Sequence, residues 1–388
     1  MLDGLINGIF NGISIGAVLL IVALGLAIVF GLMGVINLAH GELMMLGAYT
    51  TYVVQNSFKS LGDGAQDFYI WLALPLSFIV AALVGLLLER SVIRLLYGRP
   101  LETLLATWGV SLILQQFVRS VSWAMTFGIL AICGLLFGGR AVLNKFANLG
   151  PRQKLANFVV LILSAAIGIT FGRSLNGNPT MSKPWFSARN VDVTAPKWLQ
   201  DSISVTDTLS FPAARIFIIA LTIICLLGTF WFLNKSAWGL RIRAVTQNRD
   251  MSACLGIPTK RVDALTFALG SGLAGIAGCA VTLLGSVGPN LGSNYIVDAF
   301  MVVVVGGVGK LIGSIVAALL IGIITYIVGS GTLVLILPSS ESLQPLIDTA
   351  TFFATTSMAK VLVFALIIAF LQIKPAGLFP QKGRSVEV

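Results

Sequence analysis

The run LINGIFNGISIGAVLLIVALGLAIVF, residues 5–30, contains no charged side chain. A helix crosses the hydrocarbon core of a bilayer with about 20 mainly apolar residues, so this run is long enough to span one. The rest of the chain agrees. Of its 388 residues 57% are hydrophobic and only 10% charged, against about 25% charged in an ordinary soluble domain. A soluble protein this poor in charge could not cover its own surface. The chain reads as an integral membrane protein, and its start, MLDGLINGIF, lacks the basic stretch of a secretory signal, so the first segment is expected to be kept as a span.

Further apolar segments follow at residues 43–54, 69–88, 104–121, 123–137, 158–171, 211–233, 264–284, 297–305, 311–328 and 361–373. The fold class is therefore an all-α polytopic helical bundle of about 9–11 segments. Several are short of spanning length and are expected to be broken or re-entrant, which a bilayer permits only where protein covers the free backbone. Basic residues set the orientation. With the N-terminus outside and every segment crossing, the inner side receives Arg90, Arg94, Arg99, Arg140, Lys145, Arg152, Lys154, Lys235, Arg241, Arg243, Arg249, Lys260, Arg261, Lys310, Lys374, Lys382 and Arg384. The outer side receives Lys59, Arg119, Arg173, Lys183, Arg189, Lys197, Arg215 and Lys360. This excess follows the positive-inside rule and gives N-out, C-in.

The net charge of +10 does not indicate nucleic-acid binding, because the basic residues lie in short runs between apolar segments. That is how loops beside an anionic leaflet look. The four cysteines, Cys133, Cys225, Cys254 and Cys279, form no CxxC pair, so neither a disulfide framework nor a metal site is expected. Two nucleotide-binding patterns occur in the wrong setting. GSGLAG, residues 270–275, lies inside an apolar segment, where Ser271, Gly275 and Cys279 form a row of small residues suited to close helix packing. GGVGKLIGS, residues 306–314, has Val304 where a phosphate loop must begin with glycine and Leu311 where a Mg²⁺-binding hydroxyl belongs. The chain carries no ATPase site of its own, and no cofactor is expected in it.

Two loops stand out. The outer one, residues 173–210, mixes charges with Pro179, Pro184, Trp185, Pro196 and Trp198, a composition suited to an ordered interfacial loop or to a plain linker. The inner one reads SAWGLRIRAVTQNRDMSACLGIPTKR, residues 236–261. Within it residues 250–255 read as a short helix, with Asn248 as cap, Gly256 as left-handed stop and Pro258 just beyond. Met251, Leu255 and Ile257 then offer an apolar knob among Arg243, Arg249, Lys260 and Arg261. A solvated loop has little use for such a knob, so a docking element is expected.

The spacing Asp250-Met251-Ser252-x-x-x-Gly256 resembles the EAAxxxG motif of the permease subunits of bacterial ABC importers, with Asp for Glu and Met-Ser for Ala-Ala. The stretch VINLAHGELMMLGAY, from Val35, resembles the branched-chain amino acid type of these permeases. Other stretches resemble its urea-importing branch: LLATWGVSLILQQ from Leu104, RAVTQNRDMSACLGIPTKRVDALTFALGSGLAGIAG from Arg243, SVGPN and NYIVDAFMVVVVGGVGK from Ser286, and FFATTSMAK with KPAGLFPQKGR from Phe352. Residues 122–210 match little and read as a branch-specific insertion in one transmembrane domain, 1–388, with 235–262 as its coupling loop.

The resemblance implies the first of two related permease subunits of a urea importer in the bacterial inner membrane. It implies a second homologous permease, two cytoplasmic ATPase subunits that hold ATP and Mg²⁺, and an external substrate-binding protein. Asp250, Met251, Ser252, Ala253, Leu255, Gly256 and Ile257 would then couple the chain to the ATPases. The alternatives are a branched-chain amino acid permease of the same kind, a proton-coupled secondary transporter, or a passive urea channel.

The only histidine, His40, stands two residues before Glu42. Residues two apart on a helix point to opposite sides, which argues against a shared proton relay. Asn37, His40, Gly41 and Glu42 are instead expected to mark a break between helices, satisfying freed backbone groups or reaching the cytoplasmic interface. A small, neutral cargo rich in donors and acceptors would be passed by amide and hydroxyl side chains. Asn7, Asn11, Ser14, Gln115, Gln116, Asn294 and Tyr295 are the candidates, each also suited to a plain interhelical hydrogen bond.

Overall fold

The computed structural model describes residues 2–60, 62–146, 153–175, 177, 179–186, 190–206, 209–332, 351–352 and 354–379. Its long helices are α1 (Leu2–Met33), α2 (His40–Lys59), α3 (Tyr69–Ser91), α4 (Pro100–Ser120), α5 (Trp123–Phe146) and α6 (Gln153–Leu175). They continue with α7 (Ala213–Lys235), α8 (Ala237–Gln247), the short α9 (Arg249–Cys254), α10 (Thr259–Thr282), α11 (Leu291–Gly306), α12 (Leu311–Gly329) and α13 (Thr356–Ile373). Among the described residues six stretches, in α1, α3, α4, α7, α10 and α12, are long and apolar enough to cross a membrane. In lipid every backbone group must be satisfied within the segment, which is why apolar sequence here becomes helix.

Each expected segment coincides with a helix. The short ones are longer than their apolar cores, notably α2, α11 and α13. Their ends carry polar residues such as Gln55, Asn294 and Lys360, which hydropathy discards. Gln55 is held where it donates to the Thr194 carbonyl at 2.6 Å, and Lys360 where it meets a carboxylate.

The chain divides into two compact units, residues 1–112 with 192–388, and residues 113–191. In the first, α1 and α10 are the most enclosed spans. The expected row of small residues on α10 does pack: Ser271 meets Gly85 of α3, and Gly275 meets Ser77 of α3 and Gly47 of α2. Helix direction alternates. Gly12 and Gly16 of α1 lie against Ile323 and Ala318 of α12, while Gly31 near the other end of α1 lies against Gly309, so the two run antiparallel. The outer stretch after residue 191 is ordered onto this unit. The Thr194 carbonyl also accepts from the Tyr69 hydroxyl, Asp67 accepts from the Lys197 amide and the Trp198 indole, and Trp198 stacks on Trp71 at 6.5 Å. A hairpin of β1 (Ser202–Thr206) and β2 (Leu209–Pro212) leads into α7.

The second unit holds the end of α4 and the hairpin of α5 and α6, joined where Gly128 approaches Gly168 and Gly172. The expected insertion, 122–210, thus differs from this unit at both ends. Leu130, Ile162, Ile167 and Phe171 are exposed on it, as on a lipid-facing helix pair.

Candidate functional site

The inner end of the first unit is built around α9. Asn248 caps it, its side-chain oxygen accepting from the Met251 amide at 2.9 Å. Gly256, at φ +81°, reverses the chain, a conformation that costs an L-residue about 1–2 kcal/mol. The helix begins one residue earlier than the sequence suggests, at Arg249. Asp250, Met251, Ala253, Leu255 and Gly256 are exposed, Ile257 is half-buried and Ser252 is buried. Met251 is 59% and Leu255 76% exposed, so the apolar knob stands clear of the bundle.

The opposite side of α9 is fastened down by Arg249, through partners that the sequence did not point to. Arg249 pairs with Asp263 in the first turns of α10, whose side chain is only 4% exposed. The same guanidinium lies over the Tyr97 ring, 4.9 Å from its centroid. Burial, reinforced by the carboxylates of Asp263 and Glu89, pushes the Tyr97 phenol well above its ordinary pKa. Arg94 donates to both oxygens of the fully buried Glu89, at 3.2 and 3.0 Å, a forked geometry only arginine provides. These contacts join α9 to the start of α10 and to the segment that follows α3. A signal was present: Glu89 and Asp263 are carboxylates at the margins of apolar segments, where an unpaired charge is costly.

The break between α1 and α2 lies deeper than expected. His40 bonds through Nε2 to the carbonyl of Val22 at 3.1 Å. Val22 stands about 16 Å along the axis from Met33, the end of α1, at 1.5 Å per residue. Residues 34–39 therefore carry the chain back into the bundle before α2 begins. The Asn37 side chain accepts from the Ala39 amide at 3.1 Å, and the Leu38 amide donates to Thr107 of α4 at 3.2 Å. Glu42 does not reach the cytoplasmic interface. It is 1% exposed and accepts from Ser111 of α4 at 3.1 Å and Ser293 of α11 at 3.4 Å. His40 and Glu42 diverge, as their spacing requires.

Gly41 meets Gly292 so closely that a Cβ on either would collide with the other's backbone. The N-termini of α2 and α11 thus face each other at mid-depth, with Glu42 beside both. Helix N-termini favour negative charge, so a carboxylate is suited to this place.

The pathway candidates do not converge. Asn7 is half-buried on α1, Asn11 donates to the Tyr326 hydroxyl of α12 at 2.9 Å, and Ser14 is fully buried. Gln115 is buried and Gln116 exposed on the part of α4 in the second unit, while Asn294 is exposed and Tyr295 half-buried on α11. One polar pair on α11 is new. Lys360, expected at the outer surface, lies in the second turn of α13 and donates to Asp298 of α11 at 3.0 Å. The carboxylate draws the lysine into the bundle.

Comparison with known proteins decides the class. A family profile described as the permease component of branched-chain amino acid transport systems matches residues 8–371. The chain belongs to this family. As a branched-chain amino acid type permease it is a multi-pass inner-membrane subunit of an ABC transporter, and not an enzyme. It is 24% identical over 375 residues to the high-affinity branched-chain amino acid transport system permease protein LivH of Salmonella typhimurium, covering 95% of this chain and 93% of that one. It is 26% identical to the corresponding protein BraD of Pseudomonas aeruginosa, covering 81% and 82%. The probable branched-chain amino acid transport permease protein LivH of Methanocaldococcus jannaschii is 24% identical, covering 80% and 78%. No solved structure matches. The resemblance to urea permeases has no counterpart among these relatives.

Proposed function

We propose that this permease pairs with a second, homologous permease to form a translocation path, and that two cytoplasmic ATPase subunits drive it through α9. ATP and Mg²⁺ reside on those ATPases, and an external binding protein presents the cargo. The observation that carries this reading is the two-sided construction of α9. Met251 and Leu255 stand exposed on one side, while Arg249 is clamped to Asp263 on the other. An apolar knob held rigidly on a charged inner surface serves a partner that fits over it. ATP-driven closure of the ATPases would move α9, and α3 and α10 with it, opening the path to alternate sides.

The cargo favoured is an amino acid with a branched apolar side chain. The named relatives carry that cargo in their descriptions. A zwitterion calls for opposed charges or helix-terminus dipoles, and the bundle holds both: Asp298 with Lys360, and the paired N-termini of α2 and α11. Urea is the second reading, supported by the stretch LLATWGVSLILQQ and those that accompany it.

Reconstitution of the full importer in liposomes with its binding protein tests both. ATP-dependent uptake of labelled leucine, unaffected by excess urea, is expected. Uptake of urea and not leucine would replace the first cargo by the second. Gradient-driven uptake by this chain without ATPases would remove the importer reading altogether.

A further inference from the structure

A cavity of about 850 Å³ opens between α1, α7, the start of α12 and the segment around Phe379. This is the size of a ligand site rather than a packing flaw. Its walls are apolar for most of their height: Leu24, Ile28 and Leu32 of α1, Leu226 and Phe230 of α7, and Ile312 of α12. The α1 residues climb about 12 Å along the helix axis. The polar groups gather at one end, the inner one, where Asn234, Arg243 and Lys310 line the mouth. Arg243 is exposed and, among the described residues, makes only long contacts, of 3.5 Å, to Asn234. Lys310 is exposed as well and, among the described residues, pairs with no carboxylate.

We propose that this cavity binds an anionic phospholipid of the inner leaflet, its acyl chain against α1 and α7 and its phosphate between Arg243 and Lys310. Charge selects this occupant over a helix of another protein chain. An apolar helix would offer neither of these exposed cations an anion. A lipid brings the anion at the depth where the cations stand, because the positive-inside end of the bundle lies at the headgroups of an anionic leaflet. The amides opening α12 lie beside Lys310 and add donors of the kind that phosphate accepts. Arg243 belongs to α8, so the lipid would rest against the base of the coupling loop.

Native mass spectrometry of the purified importer, exchanged into mixed micelles of phosphatidylglycerol and phosphatidylcholine, provides the test. Retention of phosphatidylglycerol in preference to phosphatidylcholine is expected. R243Q and K310Q should each lower that retention about fivefold, as removal of one surface charge does. L226W, which fills the apolar wall and leaves both cations, should lower retention of both lipids. Equal retention of the two lipids by the unaltered importer, or unchanged preference in R243Q/K310Q, would overturn the proposal. So would efficient crosslinking from I312C to another protein chain in place of lipid.

Discussion

Gly256 shows how much a single residue decides. Its φ of +81° ends α9 and turns the chain toward Pro258 and α10. A Cβ there would meet no neighbour, so the requirement is conformational rather than steric crowding. Replacement by valine should cost about 1–2 kcal/mol or more at this turn, since β-branched residues tolerate the left-handed region worst. The turn lies outside the bilayer, so insertion should be intact. We expect Gly256→Val to retain ATPase activity while uptake per ATP falls at least tenfold, measured in proteoliposomes. Undiminished uptake would mean that the shape of this turn transmits nothing. The short helix α9 was legible because its signals are local: a cap at Asn248, a stop at Gly256 and an apolar pair between them. The clamp beneath it was not. Arg249, Asp263, Tyr97 and Glu89 come together only when α3 and α10 are packed side by side, and no spacing along the chain announces that.

At the scale of elements, the sequence revealed where helices break but not how far the chain travels in the break. Glycines and Asn37 mark an interruption after α1, yet depth depends on which neighbours accept the returning chain. Thr107, Ser111 and the carbonyl of Val22 make that choice. The same blindness affected α13. Counting charges put Lys360 outside, because a count cannot see Asp298 on another helix. The pair has a testable energetic consequence. Lys360 remains 38% exposed and Asp298 12%, so neither ion is fully desolvated. Removing one partner should cost about 2 kcal/mol, the range for a hydrogen bond to a charged group. Asp298→Asn and Lys360→Met should each lower the melting temperature of the purified permease. The double variant should lose less than the sum, with a coupling of about 1–2 kcal/mol. Strictly additive losses would show that the two charges do not stabilise α11 against α13. If the pair also serves the path, uptake will fall further in the double variant than its stability does.

For the whole molecule, everything functional follows from which end faces the cytosol. The bundle gathers Glu89, Arg94, Tyr97, Arg249 and Asp263 at one end, and Tyr69, Gln55, Thr194 and the tryptophan stack of Trp71 and Trp198 at the other. Such an arrangement has a charged end and an aromatic belt, as a bilayer demands. The end with α9 carries the basic excess and is therefore inside. The protein supplies its own reporter, because Cys254 of α9 is exposed while Cys225 and Cys279 are buried. With Cys133 replaced by serine, a membrane-impermeant maleimide should leave Cys254 unlabelled in intact cells and label it in inverted vesicles. Ser202→Cys, on the exposed outer hairpin, should behave in the opposite way. Addition of the ATPase subunits to inverted vesicles should then slow labelling of Cys254, since the helix that carries it would lie beneath a partner. Labelling of Cys254 from outside would invert the bundle, and with it every assignment of the inner loop. Labelling from inside at a rate indifferent to the ATPases would keep the orientation and deprive α9 of its motor.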